Sequence, residues 1–142
     1  MSTYGDILSD FYTTLDAVEG VRRVVDLSKE DEEIKLYTEV DPGLMPFVQF
    51  VPATESLDEV MSASKTQSEA LFEIYCYLSR RSQTETFIDL FRTAIMADRH
   101  RGKDGRTVIN TRVVEIERDN MGLAGKGGLF VMSVVVTYRR DD

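Results

Sequence analysis

The feature that most constrains the fold is a strict alternation of apolar side chains between residues 69 and 79. One face of this segment would carry only apolar residues: Ala70, Phe72, Ile74, Cys76 and Leu78. The other face would carry Leu71, Glu73, Tyr75 and Tyr77. A period of two residues predicts a β-strand. We therefore expect a sheet with one face packed against helices.

Two segments have the spacing of amphipathic helices. The first spans residues 4–19, with Thr3 as a predicted N-cap and Gly20 as a stop. The second follows a predicted capping box formed by Ser82 and Glu85, and ends near Asp98. Its predicted buried stripe consists of Phe87, Leu90, Phe91, Ala94 and Ile95.

The remaining strands are predicted at residues 21–27, 46–52, 107–118 and 129–140. Residues 53–67 are small and polar, which favours a loop or a loop with one helical turn, and residues 34–40 fit neither a helix nor a strand. The order of elements predicts one α+β domain over residues 1–142, with two helices on a largely antiparallel sheet of about five strands. We expect its core to include Phe72, Ile74, Cys76, Phe87, Leu90, Phe91, Val134 and Val136.

Composition excludes several classes of function. The 142 residues include 25 acidic and 17 basic ones, for a net charge of -8, and this balance opposes general binding to DNA phosphates. An acidic surface instead suits a place where DNA must slide past without sticking. No apolar stretch approaches the length of a membrane span. No signal peptide is visible at the N-terminus, so we expect the chain to start in a cytoplasm.

The sequence offers no convincing catalytic, cofactor-binding or metal-binding set. Cys76 and His100 are the only cysteine and histidine, which excludes an internal disulfide and a cysteine–histidine metal site. We interpret Cys76 as a core residue and His100 as an exposed loop residue without a nucleophile beside it. Gly125 and Lys126 are followed by Gly127 and a predicted strand, so a phosphate-binding loop is not indicated. The acidic run at 30–33 is typical of a solvated surface.

Two predicted loops are candidates for partner contacts. The first is a basic turn that carries Arg99, Arg101, Lys103 and Arg106; it would meet an acidic partner surface or simply be solvated. The second, residues 119–128, is rich in glycine and carries Met121, Leu123 and Lys126. Apolar residues in such a loop favour a segment that becomes ordered on a partner.

The order of elements and several short stretches resemble the tail terminator family of long-tailed bacteriophages, the minor tail protein U type and its relatives. The similarity runs over nearly the whole chain, from the helix at 5–18 and the strand at 21–27 to the glycine-rich loop that precedes Leu129–Tyr138. Between them lie the stretches that carry it: Pro46-Phe47-Val48-Gln49-Phe50-Val51-Pro52, residues 69–78, residues 87–95 and Val113-Val114-Glu115-Ile116.

The resemblance implies a small α+β subunit that closes into a ring, typically a hexamer. Such a ring caps the last ring of tail-tube protein, ends its polymerisation and presents a surface to the head connector. DNA passes through its channel without specific binding. It also implies a non-catalytic virion protein of the tail or neck, assembled in the host cytoplasm. Alternatives are another neck or tail-completion protein that joins head to tail, and a small ligand-binding or enzymatic α+β domain.

Overall fold

A computed structural model describes residues 3–29, 33–59, 65–97, 108–119 and 127–141. Within these ranges the chain forms two α-helices, α1 (Thr3–Asp16) and α2 (Thr84–Ala97). Five strands accompany them: β1 (Arg23–Asp26), β2 (Phe47–Glu59), β3 (Lys65–Leu78), β4 (Val108–Asp119) and β5 (Gly128–Asp141). The predicted α+β class, with two helices and about five strands, is confirmed.

All five strands belong to one sheet, in the order β1-β2-β3-β5-β4. The pairs β2–β3, β3–β5 and β4–β5 are antiparallel, and only β1 runs parallel to its neighbour β2. The sheet is therefore largely antiparallel, as predicted. Its central strand, β3, is the segment whose alternation dominates the sequence.

The helices cover one face of this sheet, here called the helix-covered face. Every apolar residue that the alternation assigns to one side of β3 is fully buried there. The ring of Phe11 on α1 lies 5.5 Å from that of Phe50 and 5.2 Å from that of Phe72, measured between centroids. Phe91 on α2 packs in the same way against Phe130 on β5, at 5.7 Å. These aromatic contacts fix both helices on the sheet.

A second, smaller core lies on the opposite face of the sheet, where Val25, Val40, Met45, Phe47 and Tyr77 are buried together. The segment 33–45, which includes 3-10 turns at Tyr37–Glu39 and Pro42–Leu44, packs against this face. Residues 34–40 fit neither helix nor strand in the sequence because they are irregular chain held by tertiary contacts.

Three sequence-based expectations are wrong. The loop predicted at 53–67 is paired strand in its described parts, since β2 continues to Glu59 and β3 begins at Lys65. Backbone pairing across this hairpin outweighs its polar composition, and the register shifts between Pro52 and Thr54, where proline cannot donate to the ladder.

The beginning of α2 also differs from the predicted capping box. Ser82 lies inside a 3-10 turn, Arg81–Gln83, and the carboxylate of Glu85 accepts hydrogen bonds from Arg118. The third error concerns the core. Seven of its eight predicted residues are buried, but Leu90 is 37% exposed.

Candidate interaction surfaces

Leu90 is exposed because it lies in a groove between the end of α1 and the outer side of α2, here called the α1–α2 groove. The groove has a volume of about 350 Å³ and is lined by Val18, Glu19, Asp89, Leu90, Thr93, Ala94 and Ala97. Alanines at two positions of α2 keep this part of the helix narrow. The floor of the groove is therefore apolar, and no described side chain occupies the space above it.

The turn that follows α1 forms one side of the groove. Gly20 has a positive φ of 93°, which other residues adopt only with strain. A Cβ at this position would also lie 3.1 Å from the Phe87 ring. The turn can therefore approach α2 closely, and it places Val18 and Glu19 beside the groove.

Acidic groups border the apolar floor. Glu19 comes from the turn after α1 and Asp89 from α2, and both side chains are exposed. The groove thus combines a carbon-lined base with a negative rim. Such a surface suits a partner segment with apolar residues and a nearby positive charge.

An ion pair holds the far end of β4 beside the beginning of α2. Arg118 donates two hydrogen bonds to the Glu85 carboxylate, Nε to Oε2 at 2.8 Å and Nη2 to Oε1 at 2.9 Å. This contact holds the pKa of Glu85 below its ordinary value and raises the pKa of Arg118. Asp119, the residue after Arg118, is the last described residue before the glycine-rich connection.

The chain returns from that connection through two glycines that leave no room for a side chain. A Cβ at Gly127 would overlap the hydroxyl of Tyr37, and a Cβ at Gly128 would lie 2.6 Å from Oγ1 of Thr84. The Tyr37 hydroxyl is itself fixed, because it donates a hydrogen bond to the carbonyl of Leu78 at 2.6 Å. Both anchors of the connection are thus tightly positioned near the beginning of α2.

The residues predicted to contact partners lie outside the described residues. Arg99, Arg101, Lys103 and Arg106 fall within 98–107, and Met121, Leu123 and Lys126 fall within 120–126. The structure does determine where each segment leaves and rejoins the fold. The basic segment follows α2 and ends at the beginning of β4, whereas the glycine-rich segment joins the end of β4 to β5.

The two segments are consequently attached at opposite ends of β4. A strand of 12 residues is about 40 Å long. The two segments are therefore attached too far apart to belong to one small contact surface. Two separate contact regions are what a subunit needs to bind two different neighbours.

A further surface is the part of the opposite sheet face that lies beyond segment 33–45. It carries half-buried apolar side chains of β3 and β5, among them Leu71, Tyr75, Val131 and Val135. Burial and the nearby Glu73 carboxylate raise the pKa of Tyr75. Sequence alternation indicates which residues share this face but not how far segment 33–45 covers it.

Of the two residues considered for nucleophilic or acid–base chemistry, the structure describes one. Cys76 is fully buried, and burial raises the pKa of its thiol well above the ordinary value. The prediction that it is a core residue is confirmed. His100 lies outside the described residues.

Within the described ranges, no group of three or more histidine, cysteine, aspartate or glutamate side chains is placed to hold a metal ion. Neither α1 nor α2, the helices of those ranges, is long and apolar enough to cross a membrane.

Comparison with known proteins identifies the fold. No protein-family model matches the sequence, and no curated protein matches it either. Among solved structures, a chain of the virion of a native gene transfer agent (GTA) particle is similar, with a TM-score of 0.59 and 12% sequence identity. The similarity covers 99% of this chain and 98% of that chain. The protein therefore has the same α+β fold as a chain of that particle.

Proposed function

We propose that this chain is a non-catalytic structural protein of a phage-like virion, and that it forms a ring, a hexamer by its family resemblance, which caps the tail tube. The observation that carries the proposal is the end-to-end similarity of fold to a chain of the GTA virion.

The distribution of surfaces supports ring formation. A closed ring is built from head-to-tail contacts, in which each subunit uses one patch for the preceding copy and a different patch for the next. The α1–α2 groove, the opposite sheet face and the two connections at opposite ends of β4 supply such distinct regions. The groove is lined by apolar carbon and two carboxylates, which suits packing better than it suits binding a small polar substrate.

Capping is the proposed step that ends tube growth. The end of a growing tube exposes a surface that templates the next ring of tube protein. A ring of this chain bound there removes that template, ends polymerisation and presents its other side to the head connector. DNA then passes through the channel, where a subunit charge of -8 opposes adhesion to phosphates. Assembly takes place in the host cytoplasm, and the product is part of the tail or neck of the virion.

Growth of tubes from purified tube protein tests this function. Added at the start, the chain should shorten the tubes in a dose-dependent manner, and electron micrographs should show an extra ring at one end. Six copies of the 16.1 kDa chain, about 97 kDa, are the expected mass of that ring. Unchanged tube lengths with no bound ring would exclude capping. A ring that binds heads but leaves tube length unchanged would indicate a head–tail joining protein instead.

The proposed contacts of the basic segment need a matched control. Replacing Arg99, Arg101, Lys103 and Arg106 with glutamine should weaken binding to an acidic partner surface. Replacing Arg23, Lys29, Arg80 and Arg92 with glutamine, all of them exposed, removes the same number of positive charges elsewhere. Equal effects of the two variants would show that total charge, rather than the basic segment, matters.

A further inference from the structure

The edge of the sheet formed by β4 is a surface that the proposed function does not use. β4 lies at one end of the strand order and pairs only with β5 among the described strands. A strand in this position presents unpaired backbone N–H and C=O groups along one side, and such an edge can add a strand of another molecule. The opposite edge strand, β1, is short, and Val24, Val25 and Asp26 are buried there. β4 is therefore the long, open edge of the described sheet.

The backbone of β4 departs from a regular ladder at Val114. Val113 pairs with Val134 and Glu115 pairs with Ser133, so Val114 is an extra residue between two paired ones, and it is 50% exposed. A bulge of this kind bends its strand and increases the local twist. A straight incoming strand therefore cannot form an uninterrupted ladder along this edge.

Val114 interrupts an alternation that is regular on both sides of it. The residues before it, Arg112 and Val113, pair with β5 residues of the opposite sheet face and of the helix-covered face in turn. The residues after it, Glu115 and Ile116, continue this order. Without Val114 the strand would alternate strictly, as a regular β-strand does. The bulge is therefore a separable feature of β4, and its removal should leave the packing of both faces in place.

The charges of β4 act in the same direction as the bulge. Its arginines are occupied, because Nη2 of Arg112 lies 3.6 Å from Oε1 of Glu69 on β3, and Arg118 is held by the ion pair with α2. Glu115 and Glu117 are exposed and form no ion pair with a described residue. If two copies paired antiparallel through β4 around these positions, the carboxylates of one copy would lie opposite those of the other. Like charges directly opposite each other destabilise a strand pair.

We propose that the bulge at Val114 and the carboxylates of Glu115 and Glu117 together prevent strand addition at the β4 edge, so that two copies of this chain do not join their sheets edge to edge. The two features act on different requirements of pairing. The bulge disrupts the spacing of backbone hydrogen bonds, whereas the carboxylates repel a second copy. This inference does not depend on the proposed ring or on capping.

A variant that lacks both features tests this inference. Deletion of Val114 combined with Glu115→Thr and Glu117→Thr gives a regular edge that is uncharged at these positions and rich in strand-forming residues. Sedimentation velocity should show this variant associating at concentrations about tenfold or more below those at which the wild type does. Hydrogen exchange should show new protection of β4 amide groups in the associated form, which non-specific aggregation would not give.

The matched control removes the same number of negative charges away from β4. Asp16→Thr and Glu33→Thr, both at exposed positions, should leave association at the wild-type level. Equal association of this control and the combined variant would show that net charge, rather than the β4 edge, sets association, and would overturn the inference.

Two further outcomes decide the inference. A combined variant that is folded by circular dichroism and associates like the wild type, with no new protection of β4, would overturn it. If deletion of Val114 prevents folding, the variant with only Glu115→Thr and Glu117→Thr decides: association above the wild-type level supports the inference, and wild-type association overturns it. A wild-type chain that forms no ring would refute the proposed function alone, because these measurements compare variants with the wild type.

Discussion

The hydroxyl of Tyr77 lies 2.9 Å from Oε1 of Gln49, and both side chains are fully buried on the face of the sheet opposite the helices. The same hydroxyl donates to the carbonyl of Lys35 at 2.6 Å. Gln49 accepts from the Lys35 amide at 2.9 Å and donates to the Glu33 carbonyl at 3.0 Å. Two side chains of the sheet thus hold the irregular segment 33–40 in place.

The first prediction concerns the strength of this network. Tyr77→Phe should lower the free energy of unfolding by about 1–3 kcal/mol, because it leaves the partly buried carbonyl of Lys35 without its donor. Tyr75→Phe is the matched control, since its hydroxyl makes only a 3.5 Å contact with Glu73 on a half-exposed face. Urea denaturation of the two variants measures the difference. Equal losses of unfolding free energy in the two variants would mean that the Tyr77 hydroxyl does not stabilise the fold.

The second prediction is a dependence of stability on alkaline pH. Burial, reinforced by the neighbouring Tyr75, raises the pKa of Tyr77 from 10.0 to about 12. Folding therefore favours the neutral phenol. This stabilisation is complete below pH 10, where the unfolded chain also keeps its proton, and it is lost as pH rises through about 12.

Unfolding free energies measured between pH 9 and pH 12 should consequently decline less steeply for Tyr77→Phe than for the wild type. Tyr75→Phe should follow the wild type more closely. Parallel curves for wild type and Tyr77→Phe would show that the phenol is not buried in its neutral form.

The third prediction concerns the turn that shapes the α1–α2 groove. Gly20→Ala should cost about 1–2 kcal/mol of stability, because a Cβ is strained at φ 93° and would crowd the Phe87 ring. Gly43→Ala is the control. Gly43 has no positive φ, and a Cβ there would meet only the side chain of Asp41, at 3.3 Å. Thermal unfolding compares the stabilities of the two variants. A larger loss of stability for Gly43→Ala than for Gly20→Ala would contradict the prediction.

Residues on β3, α1 and α2 explain why most of the fold was predictable. Phe72 and Ile74 belong to an alternation of apolar residues that predicts one buried face of a strand, and both are fully buried. The helical periods of α1 and α2 are equally local signals. Such patterns are contained within a dozen residues, so they can be read without knowledge of tertiary contacts.

The features that the sequence did not predict depend on contacts between residues that are far apart in the chain. Residues 54–59 are mostly polar, but they pair with β3 through backbone groups that carry no side-chain signature. Segment 33–40 is held by Gln49 and Tyr77, far away in the sequence. Leu90 has the helical spacing of a core residue, yet the turn at 17–20 stops short of covering it. The predicted contact residues in the connections lie outside the described residues, so they stay predictions.

The fourth prediction is weak affinity for duplex DNA. A charge of -8 on each subunit adds up around a ring, and the field extends about 8 Å at physiological salt. A gel shift at roughly 0.15 M salt should show no tight complex. Tight binding under these conditions would refute the idea of a channel that DNA crosses without adhesion.

The most direct test of the proposed function is the length distribution of tails in particles assembled without this chain. Electron microscopy should show tubes of uncontrolled length and filled heads that fail to join them, because open tube ends keep templating new rings. Supplying the wild-type chain should restore uniform, joined tails. Tails of normal length joined to heads in its absence would contradict the terminator function, whereas normal-length tails left unjoined would assign the chain to head–tail joining.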